Sequence, residues 1–508
     1  MTYQTTLIVV MIVYMILLMG YGIYQGRKVK NSSDFAIAGR KLPGWVAALS
    51  ERATGESSWA LLGLPGAAYA TGLMEVWTAI GCVFGIIVAW VFLAHRLRNQ
   101  AAKYEADTFI DYIAKRHGDA GKWIRVVGST IIVFFFFFYV GAQFLGGGKT
   151  LSSIFGIERY WAMLLVVFLV IPYTIYGGFR SVTYTDVIQA ILMIVTLVAA
   201  PIAGILYMND LPEGSIYATS VWEALEKAGP SYNTMTGGAI MQEDSALAGT
   251  LNSMFSKGGE IVNGLGAGII IAGAFSWFFG YLGGQPQLTT RFMAIKDAKQ
   301  AKIARNIGVV WTLIAYTGAL FIGWMGIALF GPSGLADQET VMPKVLTTLF
   351  NPVIAGILIT GVLAAVISTA NSLLILSATE LSENIVKPLK KSSTAAQSLF
   401  RSRVLTAMLA IIALGVAYVL PSKLIYSIVG YVWAGIGSTF SVVILLTLFW
   451  KRFHGKAALL SMIVGLVFTI TWISTGMDQV ITSRLMTFVV VGLVAILSTL
   501  FIKSNTNS

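Results

Sequence analysis

Charged and small polar residues interrupt an apolar stretch in the N-terminal part of the chain. The interruption reads Ser50-Glu51-Arg52-Ala53-Thr54-Gly55-Glu56-Ser57-Ser58. A charge at the centre of a membrane helix costs at least about 2.5 kcal/mol, so such residues usually face other helices or a watery cavity and bind a solute or an ion. The alternative is that Arg52 pairs with Glu56 one helical turn later and only stabilises the bundle. We therefore expect Glu51, Arg52 and Glu56 to form a charge network within the membrane.

A second irregular segment combines glycines and a proline with aromatic rings. It reads Trp277-Phe278-Phe279-Gly280-Tyr281-Leu282-Gly283-Gly284-Gln285-Pro286. Glycine and proline weaken a helix, and unwound backbone exposes N–H and C=O groups. In transporters such breaks occur at matching positions of two halves and bind the solute and the ion. The two segments together predict a binding site, with ordinary aromatic packing as the alternative for Trp277 and Tyr281.

Hydroxyl groups recur inside a third apolar stretch, which contains Ser368, Thr369 and Ser372. Hard cations prefer oxygen ligands, so this stretch predicts a cation site. Close packing between helices through small residues is the alternative. Asp186 lies near the start of another apolar stretch, where it could attract a departing cation or simply favour a helix N-terminus.

The elements that position these residues are predicted to be membrane-spanning helices. The chain has 508 residues, of which 56% are hydrophobic and only 11% are charged. This composition excludes a soluble protein, and the apolar stretches are uniformly apolar rather than alternating as in a barrel. We expect an all-α membrane protein with about 13 transmembrane helices, each of about 20 residues. The predicted spans are 6–25, 44–70, 72–95, 123–149, 160–178, 183–207, 260–286, 305–330, 352–380, 402–420, 424–450, 457–475 and 481–502.

The distribution of charge predicts the orientation of the chain in the membrane. The net charge is +12, and the basic residues cluster in loops that follow odd-numbered helices, including residues 27–41, 95–125, 291–305, 387–403 and 451–456. The longest loop of the other set, Asn209 to Lys257, is acidic. Because cytoplasmic loops are enriched in Lys and Arg, we expect the N-terminus outside and the C-terminus in the cytoplasm. The basic residues therefore indicate topology and give no reason to expect nucleic acid as a partner.

Several motifs in order along the chain resemble the solute:sodium symporter family, closest to its sodium/proline symporter branch. They are Gly63-Leu64-Pro65-Gly66-Ala67, Gly177-Gly178-Phe179 leading to Thr185-Asp186, Gln285-Pro286 with Arg291-Phe292-Met293-Ala294, Leu363-Ala364-Ala365-Val366-Ile367-Ser368-Thr369, and Trp433-Ala434-Gly435-Ile436-Gly437. The resemblance covers nearly the whole chain. It implies an inverted-repeat, leucine-transporter-like core in helices 2–6 and 7–11 that works by alternating access.

The resemblance also implies boundaries and binding residues within a single polytopic domain, 1–508. The first repeat would cover about 44–207 and the second about 260–450, with additional helices at 6–25, 457–475 and 481–502. The family's sodium site matches the backbone carbonyls of Ala53, Glu56 and Ala365 and the hydroxyls of Ser368 and Thr369. Asp186 and Ser372 match a second cation position or an exit path. The solute is expected at the two helix breaks, beside Thr54, Gly55, Ser57, Tyr139, Gln143, Trp277, Tyr281 and Gln285.

The sequence departs from the proline branch at both breaks. Proline symporters carry an aspartate followed by methionine where this chain has Gly55-Glu56, and Glu51-Arg52 replaces two small residues. A shift of one residue turns a side chain by about 100° on a helix, so Glu56 need not replace that aspartate. Gly283-Gly284 also adds one glycine. Glu56 could therefore offer only its carbonyl to Na+, or Glu56 or Asp186 could carry a proton, since burial favours the protonated carboxyl and Arg favours the charged form.

We expect a secondary symporter that couples inward Na+ movement to uptake of proline or a related amino acid across a bacterial cell membrane. A proton-coupled transporter of the same fold, a different organic solute and an ion channel are the alternatives. An enzyme is not expected, because His95, His117 and His454 all fall in loops and Cys82 is the only cysteine. The expected partners are the solute, Na+ and lipid, with no cofactor and no obligate protein partner.

Overall fold

The computed structural model describes residues 2–29, 32–212, 214–235, 268, 271–389, 395–420 and 422–502. Within these residues the regular structure is helical, and only a single bridge between Leu42 and Ile295 pairs extended backbone. Ten helical segments are long and apolar enough to cross a membrane, and a shorter apolar helix covers Arg159–Pro172. The chain is therefore a multi-pass α-helical membrane protein, as the composition predicts.

The helices carry the following labels in chain order: α1 (Tyr3–Gly26), α2 (Ser32–Ile37), α3 (Gly44–Ser58), α4 (Leu64–Thr71), α5 (Val76–Val88), α6 (Ala94–Lys103), α7 (Phe109–Arg116), α8 (Gly121–Phe155), α9 (Arg159–Asn209), α10 (Val221–Ala228), α11 (Pro230–Asn233), α12 (Trp277–Tyr281), α13 (Pro286–Ala294), α14 (Ala298–Phe330), α15 (Val341–Leu349), α16 (Pro352–Leu381), α17 (Lys387–Leu389), α18 (Ala395–Val419), α19 (Ile425–Val432), α20 (Thr439–Phe449), α21 (Gly455–Ser474) and α22 (Ser483–Phe501). Short π-helical turns join α3 to α4, α5 to α6 and α19 to α20, at Trp59–Gly63, Ala89–Leu93 and Trp433–Ser438.

Two helical segments are long enough to cross a bilayer twice, and glycines divide them where the sequence predicts separate spans. The segment Gly44–Lys103 turns at Gly72, which has a φ of 63°. The segment α9 has 51 residues and breaks at Gly178, with a φ of 57° and a ψ of −162°. A side chain at either position would be strained, because positive φ suits glycine. The start of the predicted seventh span, 260–267, and Glu213, Glu243 and Asp244 of the acidic loop lie outside the described residues, so the count of 13 stays a prediction.

The centre of the bundle is α16. Every residue from Leu358 to Glu380 is buried, and this helix packs against α3, α8 and α9. By contrast, the outer faces of α1, α18 and α22 carry exposed apolar side chains such as Ile16, Ile411 and Leu493. Apolar exposure on the periphery is the pattern that a lipid-facing surface requires. The hydroxyl-rich stretch of α16 is therefore enclosed by other helices and shielded from lipid.

An ion-pair network that the sequence analysis missed joins three elements at one end of the bundle. Lys149 of α8 contacts Glu339, with 2.6 Å between Nζ and Oε2, and Asp337, with 2.9 Å between Nζ and Oδ2. The Glu339 carboxylate also accepts the backbone N–H groups of Ile425 and Tyr426 at 2.9 Å each. A carboxylate favours a helix N-terminus, where N–H groups lack partners within the helix. Lys149 therefore connects α8 through Glu339 to the start of α19.

Close packing between α9 and α14 depends on Gly318, and this gives a test of the fold. A side chain at Gly318 would overlap the carbonyl oxygen of Leu197, whereas Gly415 on α18 has no atom within contact distance of an added Cβ. Overpacking of this kind costs about 1–3 kcal/mol. We expect Gly318→Val to lower the thermal unfolding temperature of the detergent-purified protein by several degrees, and Gly415→Val to leave it near the wild-type value. Equal unfolding temperatures for the two variants would contradict this packing.

Candidate ion and solute site

The first helix break lies between α3 and the π-helical turn that follows it. Ser57 has a φ of 53° and a ψ of −168°, a strained conformation for a residue with a Cβ. Two side chains of α8 stabilise this break. The Tyr139 hydroxyl donates to Ser57 Oγ at 3.2 Å, and Gln143 Oε1 accepts the Ser58 backbone N–H at 3.0 Å. The structure thus brings Ser57, Tyr139 and Gln143 together, as the sequence analysis expects.

The second break separates α12 from α13, and it confirms the predicted interruption at Gly283-Gly284-Gln285-Pro286. The helix ends at Tyr281 and resumes at Pro286, while Gly283 has a φ of 90°. The Gly284 N–H donates to Ser441 Oγ at 3.1 Å, and a Cβ at this position would overlap the Gly437 carbonyl oxygen. The chain therefore needs glycine here because α12 and α20 approach so closely.

Aromatic rings pack against one another between the two breaks. Trp59 and Trp277 have ring centroids 4.4 Å apart, and Trp433 lies 5.8 Å from Trp277, 5.3 Å from Tyr281 and 5.5 Å from Tyr139. The predicted solute residues Tyr139, Trp277 and Tyr281 therefore belong to one cluster. Trp59 and Trp433 also belong to this aromatic cluster, as do Tyr316 and Tyr426, and the sequence does not predict any of the four as a solute residue. The glycines near Trp59 and Trp433, rather than the residue type, were the available signal.

Several buried N–H groups in and around the aromatic cluster have no hydrogen-bond partner in the described part of the chain. They belong to the indole Nε1 of Trp59, Trp277 and Trp433 and to the amide Nε2 of Gln143 and Gln285. Leaving a buried donor unpaired costs about 1–3 kcal/mol, so such a group in a native structure requires an explanation. A set of five donors is suited to a ligand that carries acceptor oxygens. The Gln285 Oε1 atom, by comparison, already accepts from Gln287 Nε2 at 2.9 Å.

The predicted sodium residues lie on facing sides of α3 and α16. Thr369 donates its hydroxyl to the Thr54 carbonyl oxygen at 3.0 Å, and Ser368 Oγ lies 3.5 Å from Thr54 Oγ1. Ala53, Glu56 and Ala365 are fully buried beside them in the same two helices. The two hydroxyls therefore lie against α3 within one turn of its break. That these five residues bind Na+ stays a prediction.

Asp186 lies beside the same hydroxyls, but its charge is matched by an arginine. Its Oδ1 atom accepts from Ser368 Oγ at 2.6 Å, and its Oδ2 atom accepts from Ser50 Oγ at 2.6 Å and from Arg291 Nη2 at 3.2 Å. Arg291 Nη2 also donates to Ser372 Oγ at 2.6 Å. The predicted second cation position thus contains a guanidinium group among the described residues.

The location of Arg291 corrects the sequence analysis. The sequence predicts that Arg291 lies in the basic loop 291–305, but the residue is 1% exposed and lies within α13. Its guanidinium reaches Thr54 Oγ1 at 2.9 Å, which links the second break to α3. The buried position of Arg291 could have been predicted from its place in the sequence. It lies five residues after Pro286, in the same short segment as the second break. Loop assignment by hydropathy failed because α13 is short and buried by other helices rather than by apolar residues of its own.

The predicted charge network of Glu51, Arg52 and Glu56 is present. Its two carboxylates differ in the number of contacts that they make with Arg52. Arg52 contacts Glu51 through two nitrogens, Nε to Oε2 at 2.6 Å and Nη2 to Oε1, and Trp90 Nε1 adds a third hydrogen bond to Glu51 at 3.2 Å. Glu56 Oε1 accepts from Arg52 Nη1 at 2.7 Å, and the Tyr316 hydroxyl also interacts with the Glu56 carboxylate. Its Oε2 atom is buried without a hydrogen-bond partner in the described residues.

The histidines lie away from this site. His117 is buried between Thr447 and Phe453, with 3.0 Å between its Nε2 and Thr447 Oγ1. Burial, followed by the nearby Arg116 and His454, lowers its pKa to about 3, so the ring is neutral at physiological pH. His454 accepts the Ala457 N–H at the start of α21. His117 and His454 lie between helices, as predicted, whereas His95 lies within α6 and not in a loop.

Arg52 should be required for folding because it is the only cation that contacts the two buried carboxylates of this network in the described structure. Removing the cation leaves two uncompensated charges, and breaking a buried ion pair in this way costs about 3–5 kcal/mol. We expect Arg52→Met to reduce the yield and unfolding temperature strongly. Arg159→Met is the matched control, because Arg159 is 39% exposed and forms only a 3.5 Å ion pair with Asp337. Similar losses of yield and unfolding temperature in both variants would contradict the greater importance of Arg52 for folding.

Comparisons with known proteins give one consistent result. The model described as the sodium:solute symporter family matches residues 35–465. The chain is 33% identical over 467 residues to the high-affinity proline transporter PutP of Bacillus subtilis, covering 91% of each chain. It is 31% identical over 479 residues to sodium/proline symporter 2 of Staphylococcus saprophyticus, covering 93% of this chain and 86% of that protein.

A solved structure shares the fold. The chain superimposes on a Na+-coupled sialic acid symporter, captured in a substrate-bound outward-open state, with a TM-score of 0.75, 17% sequence identity and full coverage of both chains. This likeness confirms the leucine-transporter-like architecture that the resemblance implies. The boundaries of the two repeats stay predictions.

Proposed function

Because this chain belongs to the sodium:solute symporter family, we propose that it couples inward movement of Na+ to uptake of a small amino acid, with proline as the first candidate. The observation that carries the proposal is the contact of the Thr369 hydroxyl with the Thr54 carbonyl beside the α3 break. It places hydroxyl oxygens, the ligands that Na+ prefers, next to unwound backbone. The proline transporters among the relatives support the choice of solute.

We propose that Na+ binds between α3 and α16, to the carbonyls of Ala53, Glu56 and Ala365 and the hydroxyls of Ser368 and Thr369. Asp186 already accepts a hydrogen bond from Ser368 and forms an ion pair with Arg291. Its negative charge is therefore balanced within the protein. We assign Asp186 to positioning the Ser368 hydroxyl, and Ser372 to binding Arg291, rather than to a second cation position.

The solute is proposed to bind between the two helix breaks, against the aromatic cluster. The unpaired N–H groups of Gln143, Trp59 and Trp277 suit the carboxylate of an amino acid. The faces of Trp433 and Tyr281 suit an apolar ring or side chain. Thr54, Gly55, Ser57 and Gln285 belong to the same region because they lie in or beside the breaks.

We propose transport by alternating access, which the position of the breaks supports. Backbone at Ser57 and at Gly283 departs from helical geometry, so the halves of each broken helix can move separately. The proposed orientation in the cell membrane has the N-terminus outside and the C-terminus in the cytoplasm, as the basic loops predict. Na+ and the solute would then enter from the side of the N-terminus.

Uptake of radiolabelled L-proline into proteoliposomes tests this proposal. We expect accumulation under an inward Na+ gradient and none under an H+ gradient alone. Ser368→Ala and Thr369→Ala should each raise the Na+ concentration for half-maximal uptake by about tenfold or more, because each removes one proposed oxygen ligand. Ser461→Ala is the matched control, since among the described residues this buried hydroxyl bonds only to the Ala457 carbonyl of its own helix.

Each other outcome changes a different part of the proposal. Na+-driven uptake of another solute, with proline inactive, would retain the symport and remove proline. Uptake driven by H+ and indifferent to Na+ would assign the coupling to the buried carboxylates instead. Flux that does not saturate with solute would indicate a channel.

A further inference from the structure

The charge network of α3 places two carboxyl groups, Glu51 and Glu56, on a single guanidinium, that of Arg52. Arg52 and Glu51 form a two-point ion pair, and Trp90 completes the hydrogen bonding of Glu51. Glu56 shares the same arginine through a single contact at 2.7 Å. All three side chains are buried. A buried negative charge without a full counter-charge is costly, so the arrangement is satisfied by a proton on Glu56 or by another cation close to it.

The unpaired atom of this network is Glu56 Oε2. It is buried and has no hydrogen-bond partner within the residues that the structure describes. Glu56 immediately precedes the strained Ser57, whose hydroxyl accepts from Tyr139. Trp59 of the aromatic cluster follows Glu56 by three residues, and its ring centroid lies 4.4 Å from that of Trp277. The unpaired oxygen is therefore beside the aromatic cluster, in the region proposed for the solute.

The other unpaired groups of this region have the opposite character. The indole groups of Trp59, Trp277 and Trp433 and the amides of Gln143 and Gln285 present N–H donors. Donors of this kind pair with a carboxylate, whereas a carboxylate oxygen pairs with a protonated nitrogen. Aromatic faces also attract a cation. The region thus offers complementary partners for the two ends of a zwitterion.

We infer that Glu56 Oε2 binds the protonated amino nitrogen of the transported solute and selects amino acids that retain an N–H over carboxylates of the same shape. This inference rests on the proposed function and specifies the chemical class of its solute. The solute nitrogen donates a charge-assisted hydrogen bond to Oε2 and supplies the positive charge that the network lacks. A carboxylate without nitrogen would leave the Glu56 charge unbalanced and would be repelled by it. A quaternary nitrogen would supply charge but no hydrogen bond.

Equilibrium binding measured by tryptophan fluorescence tests the inference without requiring transport. The probes are L-proline, cyclopentanecarboxylate, which lacks the nitrogen, and N,N-dimethylproline, which lacks the N–H, each in saturating Na+. For the wild type we expect proline to bind at least about tenfold more tightly than either analogue. In Glu56→Gln the preference for proline over cyclopentanecarboxylate should fall by about tenfold to a hundredfold, mainly through weaker proline binding.

Glu380→Gln is the matched control. Glu380 is also fully buried, also has one unpaired carboxylate oxygen in the described structure, and is bound through its other oxygen by Ser129 and Thr108 outside the aromatic cluster. We expect this variant to keep the wild-type preference. Any nonspecific effect of removing a buried carboxylate from the bundle should appear in both variants, whereas loss of solute recognition should appear in Glu56→Gln alone.

Three results would overturn the inference while leaving the proposed symport intact. The first is Na+-driven uptake of proline with the same solute preference in Glu56→Gln as in the wild type. The second is a change in Glu56→Gln confined to the affinity for Na+, which would assign the missing positive charge to the ion. The third is Na+-driven uptake of neutral or anionic solutes with no amino acid accepted. Absence of Na+-driven uptake for every probe would instead refute the proposed function itself.

Discussion

The absence of water from the hydrocarbon core is the constraint on which this structure depends. Each break in a membrane helix frees N–H and C=O groups that must find partners within the protein. At the first break the Ser58 N–H donates to Gln143 of α8 and the Trp59 N–H donates to Ser57 Oγ, and at the second break the Gly284 N–H donates to Ser441 of α20. The breaks are therefore possible only because other helices supply polar side chains at the same depth. That requirement places polar groups where a solute can use them.

The same constraint explains why every charge at the centre of the bundle has a nearby polar or ionic neighbour. Asp186 of α9 is held by Arg291 of α13, so the pair joins helices from the two predicted repeats. Lys149 and Glu339 link α8 to the start of α19 in the same way. Breaking such a pair costs more than its formation gains, because one partner is left buried and alone. These pairs consequently restrict which helices can separate, and any movement of the bundle must either preserve them or exchange their partners.

Local irregularity allowed much of the site to be predicted from the sequence. The cluster at Glu51, Arg52 and Glu56 and the glycines before Pro286 conflict with an ordinary apolar span, and both positions are irregular or charged in the structure. Features that depend on distant contacts were not predictable. Arg291 resembles a loop residue until the short α13 is seen inside the bundle, and Lys149 gains its partner from residue 339, far along the chain. Trp59 and Trp433 lie near glycines in the sequence, but only the folded chain brings their rings against Trp277 and Tyr281.

Under the proposed function, Glu56 lies between the Na+ site and the solute site and connects them. Its backbone carbonyl belongs to the proposed Na+ site and its carboxylate to the proposed solute site, so one residue would face two cations. Na+ and the protonated solute nitrogen would repel each other at close range. Each of these cations would also balance part of the negative charge of Glu51 and Glu56. Arg52 contacts Glu51 through two nitrogens and Glu56 through the third, so the two carboxyl groups share its single positive charge. Any effect of Na+ on solute affinity through this residue must be matched by an equal effect of the solute on Na+ affinity, since linkage is reciprocal. A single residue with two chemically distinct groups could thus couple the two binding events without a long-range change in structure.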